Sequence, residues 1–356
     1  MTYVSATPSI CTVVAGKVRI VSAGTCRITA RQAGGTSDGT IYDAAPDVTY
    51  TFTVSNATAT FTATATRTAT PTPIPLLIKK AAVGSSFVLG LLQNGTLVTW
   101  GMNKEFQTNI APCCGSGITD IAVGTNFALA LKGGRVFGWG ANTRGQVTMP
   151  TGATKDVASI AAGYAHGLAL KTNGTVVCWG NNLSGQCNIP TKLAGIKAVA
   201  GGTDHSLIIQ KNDTVKGYGK NDVGQITIPA TLGKVTAISA GCDHSLAIKS
   251  NGTAMGWGGN RFSQAKVPTN LVDVKTISAG CNYSMAMMND GTVFGWGRNE
   301  NNQVTIPKGI TNAFSIGAGY VNSVISLRDG RVIVIGAPEN DALITRTPTK
   351  TATPTP

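Results

Sequence analysis

The chain has 356 residues, enough for a large core and more than one domain. Charged residues make up only 13% while glycines number 44, a balance that suits an all-β repeat protein. No run approaches the length of a membrane span, which argues against membrane insertion, and the net charge of +13 requires a polyanionic partner to be weighed. From the start of the chain, residues 1–54 read as short strands with period-two alternation and glycine turns.

Within that stretch, TPSICTV, VSAGTCRITARQAG and YDAAPDVTYTFTV resemble the second half of a bacterial Ig-like surface module. The resemblance implies a partial β-sandwich segment and a disulfide that maps onto Cys11 and Cys26, worth about 3 kcal/mol in the chain-entropy picture. The first strands of such a module are missing before Met1. The chain is therefore expected to be a piece of a longer exported protein, extracellular or at the cell surface, or to be completed by a neighbour. On that expectation, the lack of an export signal at the start reflects truncation. Residues 55–70 alternate Thr, Ala and Pro with few apolar anchors and read as an extended linker, as does the tail, 338–356.

Between these spacers one sentence is written repeatedly. An aromatic followed by glycine recurs at Trp100, Trp139, Trp179, Tyr218, Trp257 and Trp296, with Ile335-Gly336 as a degenerate seventh copy. A second marker runs in phase with it, at Gly84, Gly124, Gly163, Gly202, Gly241, Gly280 and Gly319. The period is 39 or 40 residues, so the repeat is the fold. Each copy holds short apolar runs rich in Val, Ile and Thr, too short for helices. An Asn-Gly turn such as Asn173-Gly174 signals a hairpin, because both residues tolerate positive φ. After the aromatic-Gly pair comes Asn-x-x-x-Gln, as in Asn182 and Gln186, and then a proline such as Pro190. Four antiparallel strands per copy, repeated radially, describe a propeller blade.

The AGxxHS…NGTVxxWGxNxxGQ pattern resembles the RCC1 repeat, and its short period resembles the bacterial, BLIP-II-like form. The resemblance covers about three quarters of the chain and implies an all-β, seven-bladed propeller over 71–337, which is expected to be monomeric and, from its residues, non-catalytic. It also implies a regulatory scaffold or enzyme inhibitor as alternatives. The last copy stops without its Asn, Gln and Pro, so Thr72-Pro73-Ile74-Pro75 is expected to pair with the last blade and remove its open edge.

No Cys-x-x-Cys pair points to zinc, and no metal or cofactor is expected. If Gly180 pairs with Gln186, Cys178 and Cys187 face opposite ways and cannot bridge, although a one-residue slip reverses this. Cys242 and Cys281 can bridge only near the central axis. Cys113 and Cys114 are adjacent in a loop between copies. All three histidines, His166, His205 and His244, share one repeat position, where the RCC1 resemblance implies a His-Ser pair within the frame. No nucleophile motif, phosphate loop or acid pair accompanies them.

Variation concentrates in the loops of one face. Phe106, Phe127, Arg144, Tyr164, His166, Asp204, Asp243, Arg261, Phe262, Tyr283 and Tyr320 are the candidate binding residues there, because variable loops on a rigid ring carry specificity. Aromatics and arginines also dominate interface hot spots. A protein or glycan is the expected ligand. Residues 79–337 carry 22 Lys plus Arg against 11 Asp plus Glu, a net of +11. An anionic polymer, wall polymer or nucleic acid, on the basic opposite face is the alternative partner.

Overall fold

The computed structural model describes residues 2–14, 17–22, 24–32, 35–37, 40–42, 45–54 and 78–336. The expected linker, the 72–75 closing segment and the tail lie outside these residues. The chain divides into two compact units, Met1–Ile74 and Pro75–Pro356.

In the first unit, Gly24–Gln32 is the central strand of an antiparallel sheet between Thr2–Ser5 and Ala45–Val54. Two hairpins, Cys11–Val14 with Lys17–Ile20 and Gly35–Ser37 with Thr40–Tyr42, accompany it. Cys11 and Cys26 are joined with their Cα atoms 5.7 Å apart, as the Ig-like resemblance implied. Both are fully buried beside Ile28, and Ile10 and Val13 pack on them.

Among the described residues the second unit contains seven antiparallel sheets in series. The first is Ile78–Val83, Phe87–Leu92 and Leu97–Gly101; the last is Ala313–Ala318, Ser323–Leu327 and Val332–Ile335. Each has three strands rather than the four expected. The fourth segment packs by side chain instead of joining a backbone ladder. A Cβ built on Gly217 would lie 2.4 Å from Ile226 Cβ, and one on Gly295 would lie 2.7 Å from Val304 Cβ. The glycine thus lets the fourth segment press its aliphatic residue against the third strand. Turns and a proline bracket the segment, which leaves little room for a ladder.

The hairpins also differ in detail from expectation. In the Asn-Gly turns only the glycine takes positive φ, between 76° and 80° at Gly95, Gly174 and Gly252. Their preceding asparagines accept hydrogen bonds instead, as Asn173 Oδ1 does from Thr175 N at 3.1 Å and Thr175 Oγ1 at 2.7 Å.

Consecutive sheets are tied at the inner rim by backbone hydrogen bonds. Ser85 N donates to Thr125 O, Thr125 N to Tyr164 O, Tyr164 N to Gly202 O and Thr203 N to Gly241 O. Cys242 N then donates to Gly280 O, Cys281 N to Gly319 O, and Tyr320 N to Gly84 O, so the circuit closes on the first sheet. Beneath each rim glycine sits one buried side chain that clasps the next blade. His166, His205 and His244 meet Ser206, Ser245 and Ser284 through Nε2 at 2.9, 3.1 and 2.9 Å. Ser245 and Ser284 donate onward to Gln225 O and Gln264 O, so they accept from the imidazole and fix its Nε2–H tautomer. Phe87, Phe127 and Tyr283 occupy the same position in other blades, and all are buried.

Burial pushes His166 and His244 down from 6.5 to about 3 and His205 to about 4. The unfolded chain therefore binds more protons than the folded one below about pH 6.5. Stability is full above that pH and is lost as it falls towards about 4, at about 1.4 kcal/mol per histidine per pH unit. Urea midpoints measured from pH 7 to 4 are expected to fall. A His205→Phe/Ser245→Ala pair, copying Phe87 and Ala128, is expected to remove about a third of that slope, since it deletes one of the three histidines.

Candidate binding site on the loop face

The Asn-x-x-x-Gln turns form the outer part of one face. Each Asn Oδ1 accepts a backbone N–H five residues ahead, from Thr108 to Asn103 at 3.0 Å and from Val304 to Asn299 at 2.9 Å. Each Gln Oε1 accepts the N–H two residues behind it, from Arg144 to Gln146 and from Phe262 to Gln264, both at 2.8 Å. The glutamine backbone also serves the next blade: Trp139 Nε1 donates to Gln107 O at 3.0 Å and Trp296 Nε1 to Gln264 O at 2.9 Å. The framing residues thus satisfy the turn, and the three residues between them are free to vary.

Phe106 is 68% exposed and Tyr164 and Tyr320 are each 48% exposed; Arg144 and Arg261 are also exposed. Tyr164 and Tyr320 stand at the mouth of the central channel, a space of about 350 Å³ lined by the inner strands and the rim glycines. Cys242 and Cys281 are joined on the same rim, with Cα atoms 4.4 Å apart, at the axis position the sequence required.

Asp243, Arg261 and Phe262 come together in a cleft of about 880 Å³, where Val223, Arg298 and Glu300 join them. The guanidinium carbons of Arg261 and Arg298 stand 5.5 and 5.4 Å from the centre of the Phe262 ring. Both cations lie over the ring, which is half-exposed. Arg298 is ion-paired with Glu300, and Asp222 beside Lys220 holds that ammonium above its usual range. Asp204 is half-buried, and its carboxylate accepts from Gln186 Nε2 at 3.5 Å.

Three candidates do not belong to the surface. Phe127, His166 and Tyr283 are completely buried. They directly follow the variable rim loops but begin the middle strands, so their side chains turn beneath the rim glycines. Tyr283 Oη accepts from Gly319 N at 2.9 Å, donates to Asn322 O at 2.6 Å and meets Ser323 Oγ at 3.0 Å. Arg298 was missed in the sequence. It precedes the framing Asn of its turn, at a position that varies from Met102 to Ala141, Asn181, Lys220 and Gly259.

Cys178 and Cys187 are joined, with Cα atoms 5.2 Å apart. No backbone ladder joins their two segments, so the Gly180–Gln186 pairing that would have turned them apart is not formed.

A closed circuit of repeated antiparallel sheets, each tied to the next and the last to the first, defines a β-propeller. Its sequence matches the family described as Regulator of chromosome condensation (RCC1) repeat over residues 78–107, 118–146, 157–186, 235–264 and 274–303. Residues 78–336 thus form a β-propeller built on RCC1 repeats. Among solved structures it resembles Prp20p from Saccharomyces cerevisiae, with 19% identity, 69% of this chain and 81% of that one covered, and a TM-score of 0.60. It also resembles the ectodomain of the receptor kinase CR4 from Physcomitrella patens, with 20% identity, 72% of each chain covered and a TM-score of 0.61. The C-terminal domain of gp131 from bacteriophage phiKZ matches at 14% identity over 80% of this chain and 99% of that one, with a TM-score of 0.51. These likenesses speak for the fold alone. No curated protein matches the chain significantly.

Frame and surface separate in their response to mutation. Phe127→Ala is expected to cost about 3–5 kcal/mol in urea unfolding, as the loss of a fully buried aromatic. Phe106→Gly is expected to leave stability unchanged or raise it by up to about 1 kcal/mol, because Phe106 is exposed at a φ of 59°.

Proposed function

We propose that the chain is a non-catalytic recognition module of an exported bacterial protein, taking a protein ligand on the loop face of its propeller. RCC1-repeat propellers commonly bind or regulate proteins. The observation that carries the reading is the placement of apolar surface. Within residues 78–336 the exposed large hydrophobics are Met102, Phe106, Tyr164, Leu183, Val223, Val272 and Tyr320, and all but Val272 lie on the loop face. Exposed apolar groups gathered on one rigid face mark an interaction site, whereas scattered ones do not. The Arg261–Phe262–Arg298 cleft adds residue types that dominate hot spots. Prp20p, which shares the fold, was studied for its binding to Gsp1p and histones. Export is supported by three disulfides, since such bonds persist in oxidising compartments. Residues 1–54 fit this reading as part of an Ig-like surface module.

A second reading has its own support. On the loop face, Lys104, Arg144, Lys220, Arg261 and Arg298 are offset by Glu105, Asp204, Asp222, Asp243 and Glu300. The whole +11 of residues 79–337 therefore lies elsewhere, largely at the hairpin turns and blade connections of the opposite face, in residues such as Lys192, Lys211, Lys234 and Lys308. An anionic polymer would engage that side.

One experiment separates the two. The full chain is immobilised and exposed to proteins and polymers from the producing organism's surroundings, at low and at high salt. A protein ligand retained at high salt, and weakened at least about 30-fold when Phe106, Tyr164, Arg261 and Phe262 become Ala, is the expected result. Capture of anionic polymer alone, indifferent to those four changes and vanishing at high salt, would replace the first reading with the second.

A further inference from the structure

Cys113 and Cys114 are the only unpaired cysteines among the described residues. They sit on the short 3-10 turn Pro112–Cys114 in the connection between the first and second blades, with their Sγ atoms 3.2 Å apart. Cys113 is exposed and Cys114 is fully buried. Lys132 Nζ donates to Cys113 O at 3.0 Å. The next connection repeats this arrangement: Lys171 Nζ donates to Gly152 O at 3.0 Å, and Ala153 is fully buried there. Gly152 and Ala153 thus occupy the places of Cys113 and Cys114. Leu232 and Leu271 hold the Cys114 place in later connections and are buried as well, so the frame asks there for an apolar side chain and not for a thiol.

We propose that Cys113 and Cys114 form a thiol–disulfide exchange site that takes low-molecular-mass disulfides, with Cys113 as the attacking sulfur and Cys114 as the resolving one. The Cys113 thiolate attacks one sulfur of the incoming disulfide, whose S–S bond breaks and releases a thiolate that takes up a proton. Cys114 then loses its proton and attacks Cys113 Sγ, expelling the second thiol. The incoming disulfide is reduced to two thiols, and the protein dithiol is oxidised to a vicinal disulfide. The roles follow from access: only Cys113 can meet a molecule from solvent, and Cys114 already lies within one short displacement of it. Burial and the neighbouring thiol push the Cys114 thiol up to about 12, so it keeps its proton and leaves the first attack to Cys113. Adjacent Cα atoms stand about 3.8 Å apart across a trans peptide, closer than disulfides usually span. The ring so formed reopens more readily than the three structural bridges, which makes it a reversible site. This site is independent of whatever the loop face binds.

The test uses the full chain treated with glutathione disulfide and read by mass spectrometry of alkylated tryptic peptides. In the wild type, the peptide holding both cysteines is expected to lose its two alkylatable thiols without gaining a glutathionyl group. Reduced glutathione should restore them while the other three disulfides persist. Cys114→Ala, which copies Ala153, should trap one glutathionyl group on Cys113, and Cys113→Ser should trap none. Two thiols that stay alkylatable, a stable adduct on the wild type, or modification of Cys114 in Cys113→Ser would each overturn the proposal. Thermal unfolding of both variants, expected to match the wild type, confirms that they are folded.

Discussion

Every blade of this ring depends on its neighbours because no sheet has a dry side of its own. The middle strands are buried along almost their whole length, as in Phe87–Leu92 and Tyr283–Met288, so both faces of each sheet must be covered. The apolar clusters accordingly lie between blades. Phe87, Leu89 and Leu97 of the first pack with Ile121, Ala130 and Trp139 of the second, and Val83 and Val88 of the first pack with Val324 and Val332 of the last. A linear stack would leave two such faces in water, whereas a closed one leaves none. The rim hydrogen bonds set the spacing at which this stacking closes.

That constraint explains the seam chemistry. A glycine is required at the rim because the clasp of its own blade lies directly beneath it. A Cβ on Gly163 would stand 2.2 Å from the His166 ring, and one on Gly280 would stand 2.4 Å from that of Tyr283. The clasp in turn selects its partner. After the polar clasps His166, His205, His244 and Tyr283 the next blade supplies serine, at Ser206, Ser245, Ser284 and Ser323. After Phe87 and Phe127 the same place holds Ala128 and Gly167. A buried hydroxyl opposite a phenyl ring would lose a partner, and a buried imidazole opposite alanine would lose one too. The closing seam departs from both patterns: Asn322 faces the Val88 position, and Asn322 Oδ1 and Trp100 Nε1 have no partner among the described residues.

The repeat, its period and its β character were legible because two glycine-based markers report backbone geometry that no other residue supplies as easily. The Asn and Gln were visible as markers but not as the side chains that hold the turn. Phe127, His166 and Tyr283 sit where the copies vary, yet variation there does not mark exposure. At a clasp, variation instead means that several chemistries lock the same seam. The Cys178–Cys187 bridge was obscured by the assumption of a regular ladder. In repeat register, Cys178 stands where Gly138, Gly217, Gly256 and Gly295 stand, and Cys187 where Val147, Ile226, Ala265 and Val304 stand. The disulfide is therefore a covalent version of the glycine–aliphatic contact made in neighbouring blades.

The same comparison shows where the surface departs furthest from the frame. The last residue before each framing Gln takes a left-handed conformation, and Gly145, Gly185 and Gly224 fill it in three turns. Ser263 and Asn302 occupy it at small cost, since short polar side chains tolerate that region. Phe106 does not belong to that class. It holds a φ of 59° with a bulky ring that is 68% exposed, so it gives up about 1–2 kcal/mol of backbone energy without recovering it by burial within its own blade. Packing cannot account for such a residue, because an exposed ring packs little. A ligand on the loop face, as proposed above, would supply the burial that the ring lacks within its own blade.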